Sequence, residues 1–199
     1  MRTITKEIEL YKFEELSEKA KDKFRYSQDL YILEEFIRDY LGEYLGLDYS
    51  KLEYSLSYSQ GDGACFRIDS LDTAKLLELD THNEFKAFRK FELDLFLPLI
   101  GAGYIEFNRY NSFYSHERSY TIELNLWGVE EYYFGRELSE RLKDRLELFI
   151  DALRSWYIDL QIKIRDYGYK EIEYLQSDEC IVELCECNGY EFTEDGKLY

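Results

Sequence analysis

The chain has 199 residues and carries 42 Asp and Glu against 25 Lys and Arg, a net charge of −17. Charge of that sign opposes the phosphates of nucleic acid and the anionic face of a membrane, and it favours a basic protein as partner. With 20 Tyr, 13 Phe and 2 Trp the chain is too aromatic for a disordered acidic segment, and it is expected to fold.

Its length suits a single domain, 1–199, with 137–199 as a helical C-terminal part. A domain of this size buries roughly 70% of its unfolded surface, so no disulfide, metal or cofactor is required to hold it. Pro98 is the only proline, and no Gly/Ser-rich linker divides the chain. No window approaches the ~18 apolar residues of a membrane span, and residues 1–9 are charged and alternating rather than a signal peptide. Cys65, Cys180, Cys185 and Cys187 read as reduced thiols of a cytosolic protein.

Residues 2–11 alternate, with Ile4, Ile8 and Leu10 on one side, and predict a strand. Phe13, Leu16, Ala20 and Phe24 then recur at helical spacing. Leu30, Leu33, Ile37, Leu41 and Tyr44 form the stripe of a second helix ending near Gly46. Residues 51–59 alternate as a strand, with Leu52, Tyr54, Leu56 and Tyr58 on one face. A turn at Gln60-Gly61-Asp62-Gly63 leads to a partner strand carrying Ala64, Phe66 and Ile68, so a β-hairpin is expected. Residues 71–79 and 83–97 predict helices, the second stopped by Pro98, and 103–109 and 118–127 predict strands around a polar, aromatic loop. From Leu138 one long helix steps through Leu142, Leu146, Phe149, Leu153, Trp156, Leu160 and Ile164 until Gly168 interrupts it. A last helix is expected from an N-cap at Ser177 to Asn188-Gly189, followed by a small terminal hairpin turning at residues 194–196. The pattern is an α+β fold, an antiparallel sheet packed with helices.

Two regions stand out for function. The Gln60–Gly63 turn places glycines around an acid, where backbone N–H groups can approach a small anion. With Tyr58, Phe66 and His116 it forms a candidate ligand site, a sponge for a nucleotide signal, in which Asp62→Ala removes the ligand and leaves the fold intact. The plainer reading is a tight hairpin that needs its glycines for geometry. Residues 171–195 contain Glu171, Glu173, Asp178, Glu179, Glu183, Glu186, Glu191, Glu194 and Asp195 and no Lys or Arg. Carboxylates spread over a helix and hairpin can imitate the phosphates of a duplex and occupy a basic cleft, with tyrosines such as Tyr169, Tyr174 and Tyr190 as anchors. The plainer reading here is a solvated face.

The remaining chemistry is thin. Cys180, Cys185 and Cys187 have the spacing C-x4-C-x-C, which lacks a zinc knuckle and reads as buried thiols on a helix face. His82 reads as a helix cap beside Thr81 and Asn83. His116 is placed as a general base only if Glu117 or another carboxylate orients it, and no nucleophile motif accompanies it. A non-enzymatic protein is expected.

The segments Tyr11-Lys12-Phe13-Glu14-Glu15-Leu16-Ser17, Tyr58-Ser59-Gln60-Gly61-Asp62-Gly63-Ala64-Cys65-Phe66, Glu173-Tyr174-Leu175-Gln176-Ser177-Asp178-Glu179 and Tyr190-Glu191-Phe192-Thr193-Glu194-Asp195-Gly196 resemble a family of uncharacterised phage and prophage proteins. Its members are sometimes labelled "antitoxin of toxin–antitoxin stability system". The resemblance implies a phage origin and a place in the host cytosol. With the acidity it leads to the expectation of a counter-defence inhibitor, anti-CRISPR or antirestriction in type, that binds a basic nucleic-acid-handling host protein as a DNA mimic. Such a protein touches neither nucleic acid nor membrane directly, and the sequence admits a homodimer. An antitoxin masking a basic toxin shares the same surface.

Overall fold

The computed structural model describes residues 7–28, 30, 32–110 and 114–199. The expected α+β class holds, and the chain divides into two compact units. One comprises Met1–Leu33 with Tyr169–Tyr199, the other Glu34–Gly168.

In the first unit, Phe13–Glu15 is a single 3-10 turn and Ser17 caps α1 (Glu18–Arg25), accepting from the Ala20 N–H at 3.4 Å. Phe13, Leu16, Ala20 and Phe24 are buried as their spacing predicts, although the helix starts later than expected because Ser17 is the better N-cap. Of the predicted strand 2–11, residues 2–6 lie outside the described residues, residues 7–10 have no regular structure, and Tyr11 pairs antiparallel with Phe192. Phe192 also pairs with Leu198, closing the expected terminal hairpin. Helix α8 (Asp178–Asn188) keeps both its predicted ends. Ser177 accepts from the Cys180 N–H at 3.2 Å, and Gly189 takes the left-handed conformation (φ 64°). Phe13, Phe24, Ile181, Cys185 and Phe192 form the core, with the Phe24 and Phe192 rings 4.7 Å apart.

In the second unit, α2 (Leu33–Asp39) buries Ile37 and continues into a wider π-type turn, Tyr40–Tyr44, that buries Leu41. Tyr44 leaves the predicted stripe. It is 74% exposed and stacks on Tyr40 instead. The expected hairpin is β1 (Asp48–Ser55) against β2 (Gly63–Ser70). Two bulges shift its register, and the pairing ends at Ser55, so Tyr58 is not a strand residue but an exposed loop residue at φ 58°. Strand β3 (Ile105–Arg109) pairs with β4 (Tyr120–Leu124) as a separate two-stranded sheet. The free edge of β2 is closed by a side chain. The buried Tyr157 hydroxyl donates to the Phe66 carbonyl and accepts from the Phe66 N–H at 3.2 Å. Burial holds this phenol well above its ordinary pKa, so it keeps the proton it donates. Tyr157→Phe is expected to destabilise the protein by about 2 kcal/mol in urea unfolding, because it orphans two backbone groups.

The helix predicted over 83–97 forms only in part. Asp80 accepts from the N–H groups of Glu84 (2.9 Å) and Phe85 (3.0 Å), a local turn that competes with helix, and Asn83 sits at φ 60°. Helix α4 is therefore Lys90–Phe96. Pro98 opens α5 (Pro98–Gly101) at its first position rather than ending the segment. Helix α3 (Thr73–Leu79) follows an Asp72 cap, and the short α6 (Leu126–Gly128) an Asn125 cap. Helix α7 (Glu140–Leu175) runs unbroken through Gly168. A Cβ there would lie 2.4 Å from Leu56 Cδ1, so this glycine serves close packing, not a break. Leu146, Phe149, Leu153, Trp156, Leu160 and Ile164 are all buried, as their spacing predicts. Among the described residues no helix is long and apolar enough to cross a membrane.

Candidate functional site

Two places carry the sequence-predicted residues, and the structure treats them differently. In the second unit, Asp62 is only 5% exposed, and its carboxylate is engaged by its own loop. It accepts from the N–H groups of Ser57 (2.6 Å) and Ser59 (2.8 Å) and from the hydroxyls of Ser55 (3.1 Å), Ser57 (3.0 Å) and Ser59 (2.8 Å). The glycines beside it are covered by residues 114–116. A Cβ on Gly61 would lie 2.3 Å from Tyr114 Cδ1, and one on Gly63 would lie 2.3 Å from the Ser115 carbonyl oxygen. His116 therefore does reach the hairpin, as a cover over Gly63, with its Nε2 3.6 Å from Glu117. Phe66 is fully buried in the core, and Gln60 and Tyr58 are exposed. The Asp62 carboxylate is held by the serines of its own loop, and the glycines serve close packing.

His82 does not cap a helix. Its Nδ1 lies 2.6 Å from an Asp159 carboxylate oxygen, and Asp80 organises the turn. Of the three cysteines expected to be buried on a helix face, Cys185 is buried, Cys180 is half-buried and Cys187 is exposed; Cys65 is buried in the second unit. Burial pushes the Cys65 thiol up to about 12, against a weaker lowering by Ser115, so it stays protonated. Among the described residues no three His, Cys, Asp or Glu are grouped to hold a metal.

The acidic segment lies wholly in the first unit. Three of its nine carboxylates are neutralised there by bases from the N-terminal segment. Asp178 pairs with Arg25, Glu191 with Lys12 (3.2 Å) and Asp195 with Lys23 (2.7 Å). The Lys23 ammonium and the Thr193 hydroxyl lower the Asp195 carboxyl to about 2. Glu171, Glu173, Glu179, Glu183, Glu186 and Glu194 make no ion pair among the described residues, and all but Glu171 are exposed. The four-then-three spacing of Glu179, Glu183 and Glu186 puts them on one face of α8. Tyr174, 51% exposed, stands among them. Its phenol is raised by Cys180, by desolvation and by Glu183, Glu179 and Glu171.

Beside this face is a pocket of about 290 Å³ that sequence reasoning missed. Phe13, Val182, Cys185 and Tyr190 supply its apolar lining, and the exposed Glu14 and Glu186 contribute carboxylates. Lys12 also borders it, with its ammonium held by Glu191. Burial pushes the Cys185 thiol up to about 11, so it acts as apolar lining and not as a nucleophile. Residues 12–14 and 182–190 are far apart in sequence, and no local signal joins them.

No protein-family model, no characterised protein and no solved structure matches the chain.

Proposed function

We propose that the chain is a non-enzymatic, phage-encoded inhibitor that binds a basic, nucleic-acid-handling host protein in the cytosol through the acidic face of its first unit. The observation that carries this reading is the pocket beside α8. An apolar lining with two carboxylates suits the aliphatic stem and charged head of an Arg or Lys side chain. Glu179, Glu183 and Glu186, exposed and without an ion pair among the described residues, extend the same charge along the helix, and Tyr174 offers a rigid aromatic contact. The counter-defence setting, anti-CRISPR or antirestriction in type, is supported by the likeness of the hairpin and tail segments to phage proteins.

The test compares the immobilised protein with an E179Q/E183Q/E186Q variant in capture from a bacterial lysate. The three residues are exposed and make no ion pair among the described residues, so the variant should unfold at the same urea concentration as the parent. Exposed charge pairs are worth about 0.2–1 kcal/mol each, so losing three should lower retention of basic, nucleic-acid-binding proteins by about threefold to a hundredfold. Equal retention by parent and variant contradicts the reading. A single basic toxin, encoded beside this chain, as the captured protein would identify an antitoxin.

A further inference from the structure

We infer that the second unit holds a binding site for a small phosphorylated ligand, a nucleotide, in a groove formed by the start of α4 and the first turns of α7. The groove is open to solvent and measures about 590 Å³, within the range of small-molecule sites, and Arg89, Phe91, Glu92, Ser139, Arg141 and Arg145 line it. Three guanidinium groups on one groove are unexpected in a chain of net charge −17. Arg89 and Arg141 are exposed and make no ion pair among the described residues.

The carboxylate within the groove does not cancel them. Glu92, 8% exposed, accepts from the Arg89 N–H at 2.8 Å and is held by Arg145, whose Nε and Nη2 lie 2.7 and 3.0 Å from its two oxygens. Arg145 Nη2 also donates to the Ala87 carbonyl at 2.9 Å, and the Arg145 guanidinium rests over the Phe88 ring, 4.4 Å from its centroid. One arginine is thus fixed by Glu92, and Arg89 and Arg141 present exposed guanidinium groups to the same groove. Arg89 and Arg141 supply the forked N–H donors that bind a phosphate group. Phe91, 59% exposed, gives a ring on which a base can stack. The site shares no residue with the acidic face and does not depend on that reading.

The test is isothermal titration of the full chain with ADP and, separately, with pyrophosphate. ADP should bind with a stoichiometry of one, and saturate at about 1 mM if Kd is micromolar. R89Q and R141Q, at exposed positions with no ion pair among the described residues, should each weaken both ligands about tenfold. F91A should weaken ADP and leave pyrophosphate unchanged. No ADP heat at about 1 mM, or ADP affinity unaltered in R89Q and R141Q, overturns the proposal. So does binding confined to single-stranded oligonucleotides. Melting temperatures equal to the parent's confirm that the variants are folded.

Discussion

Asp62→Ala should destabilise the protein by about 4 kcal/mol in urea unfolding, one of the largest effects expected of any single substitution in the chain. The carboxylate is nearly buried and accepts hydrogen bonds from Ser55, Ser57 and Ser59, including the backbone N–H groups of Ser57 and Ser59. Hydrogen bonds to a charged acceptor are worth about 1.5–3 kcal/mol each, and the loop cannot re-form all of them to water while residues 114–116 cover it. Asp62→Asn keeps the shape but replaces one acceptor with a donor, so it should lose most of the same energy. Ser57→Ala and Ser59→Ala each remove a single hydroxyl donor and should cost about 1 kcal/mol. The expectation that Asp62 is a ligand contact dispensable for folding makes the opposite forecast, an unchanged unfolding midpoint.

Phe192→Ala should cost about 4 kcal/mol and remove the fixed packing of the first unit. The ring is fully buried, 4.7 Å from Phe24 and 6.3 Å from Phe13. Its backbone exchanges two hydrogen bonds of 2.9 Å with Tyr11 and pairs with Leu198. So few large side chains make up this core that one of them is a large share of it. Amides of α1 and α8 should lose hydrogen-exchange protection in the variant. Tyr174→Ala, which removes an exposed ring, should stay within about 0.5 kcal/mol of the parent. A loss below about 1 kcal/mol for Phe192→Ala would contradict the packing described.

The features legible in the sequence were those fixed by neighbours along the chain. Helix α8 was readable because Ser177 and Gly189 mark both ends by local hydrogen bonding and φ, and the inward face of α7 because its leucines and aromatics keep helical period. Gly168 misled because a glycine in a helical pattern has two meanings, a break or a close approach, and only Leu56 in space decides between them. Residues 83–88 misled because the Asp80 side chain takes the N–H groups that a helix would have used. The candidate site was half legible. The run of carboxylates was plain, but the bases that neutralise Asp178, Glu191 and Asp195 come from residues 12–25, and so does part of the pocket wall. The arginine groove was invisible, since Arg89 and Arg141 sit in charged stretches that look like any solvated surface until the fold brings them together.

The central claim, that exposed carboxylates of the first unit bind a basic protein, is tested most directly by the salt dependence of capture from lysate. Attraction between exposed charges is screened over about 10 Å at 0.1 M salt and about 3 Å at 1 M. Capture by the parent protein should fall steeply as salt is raised, and at the lowest salt it should already be weak in the E179Q/E183Q/E186Q variant. Retention that is unchanged across the salt range, or identical in parent and variant, would contradict it.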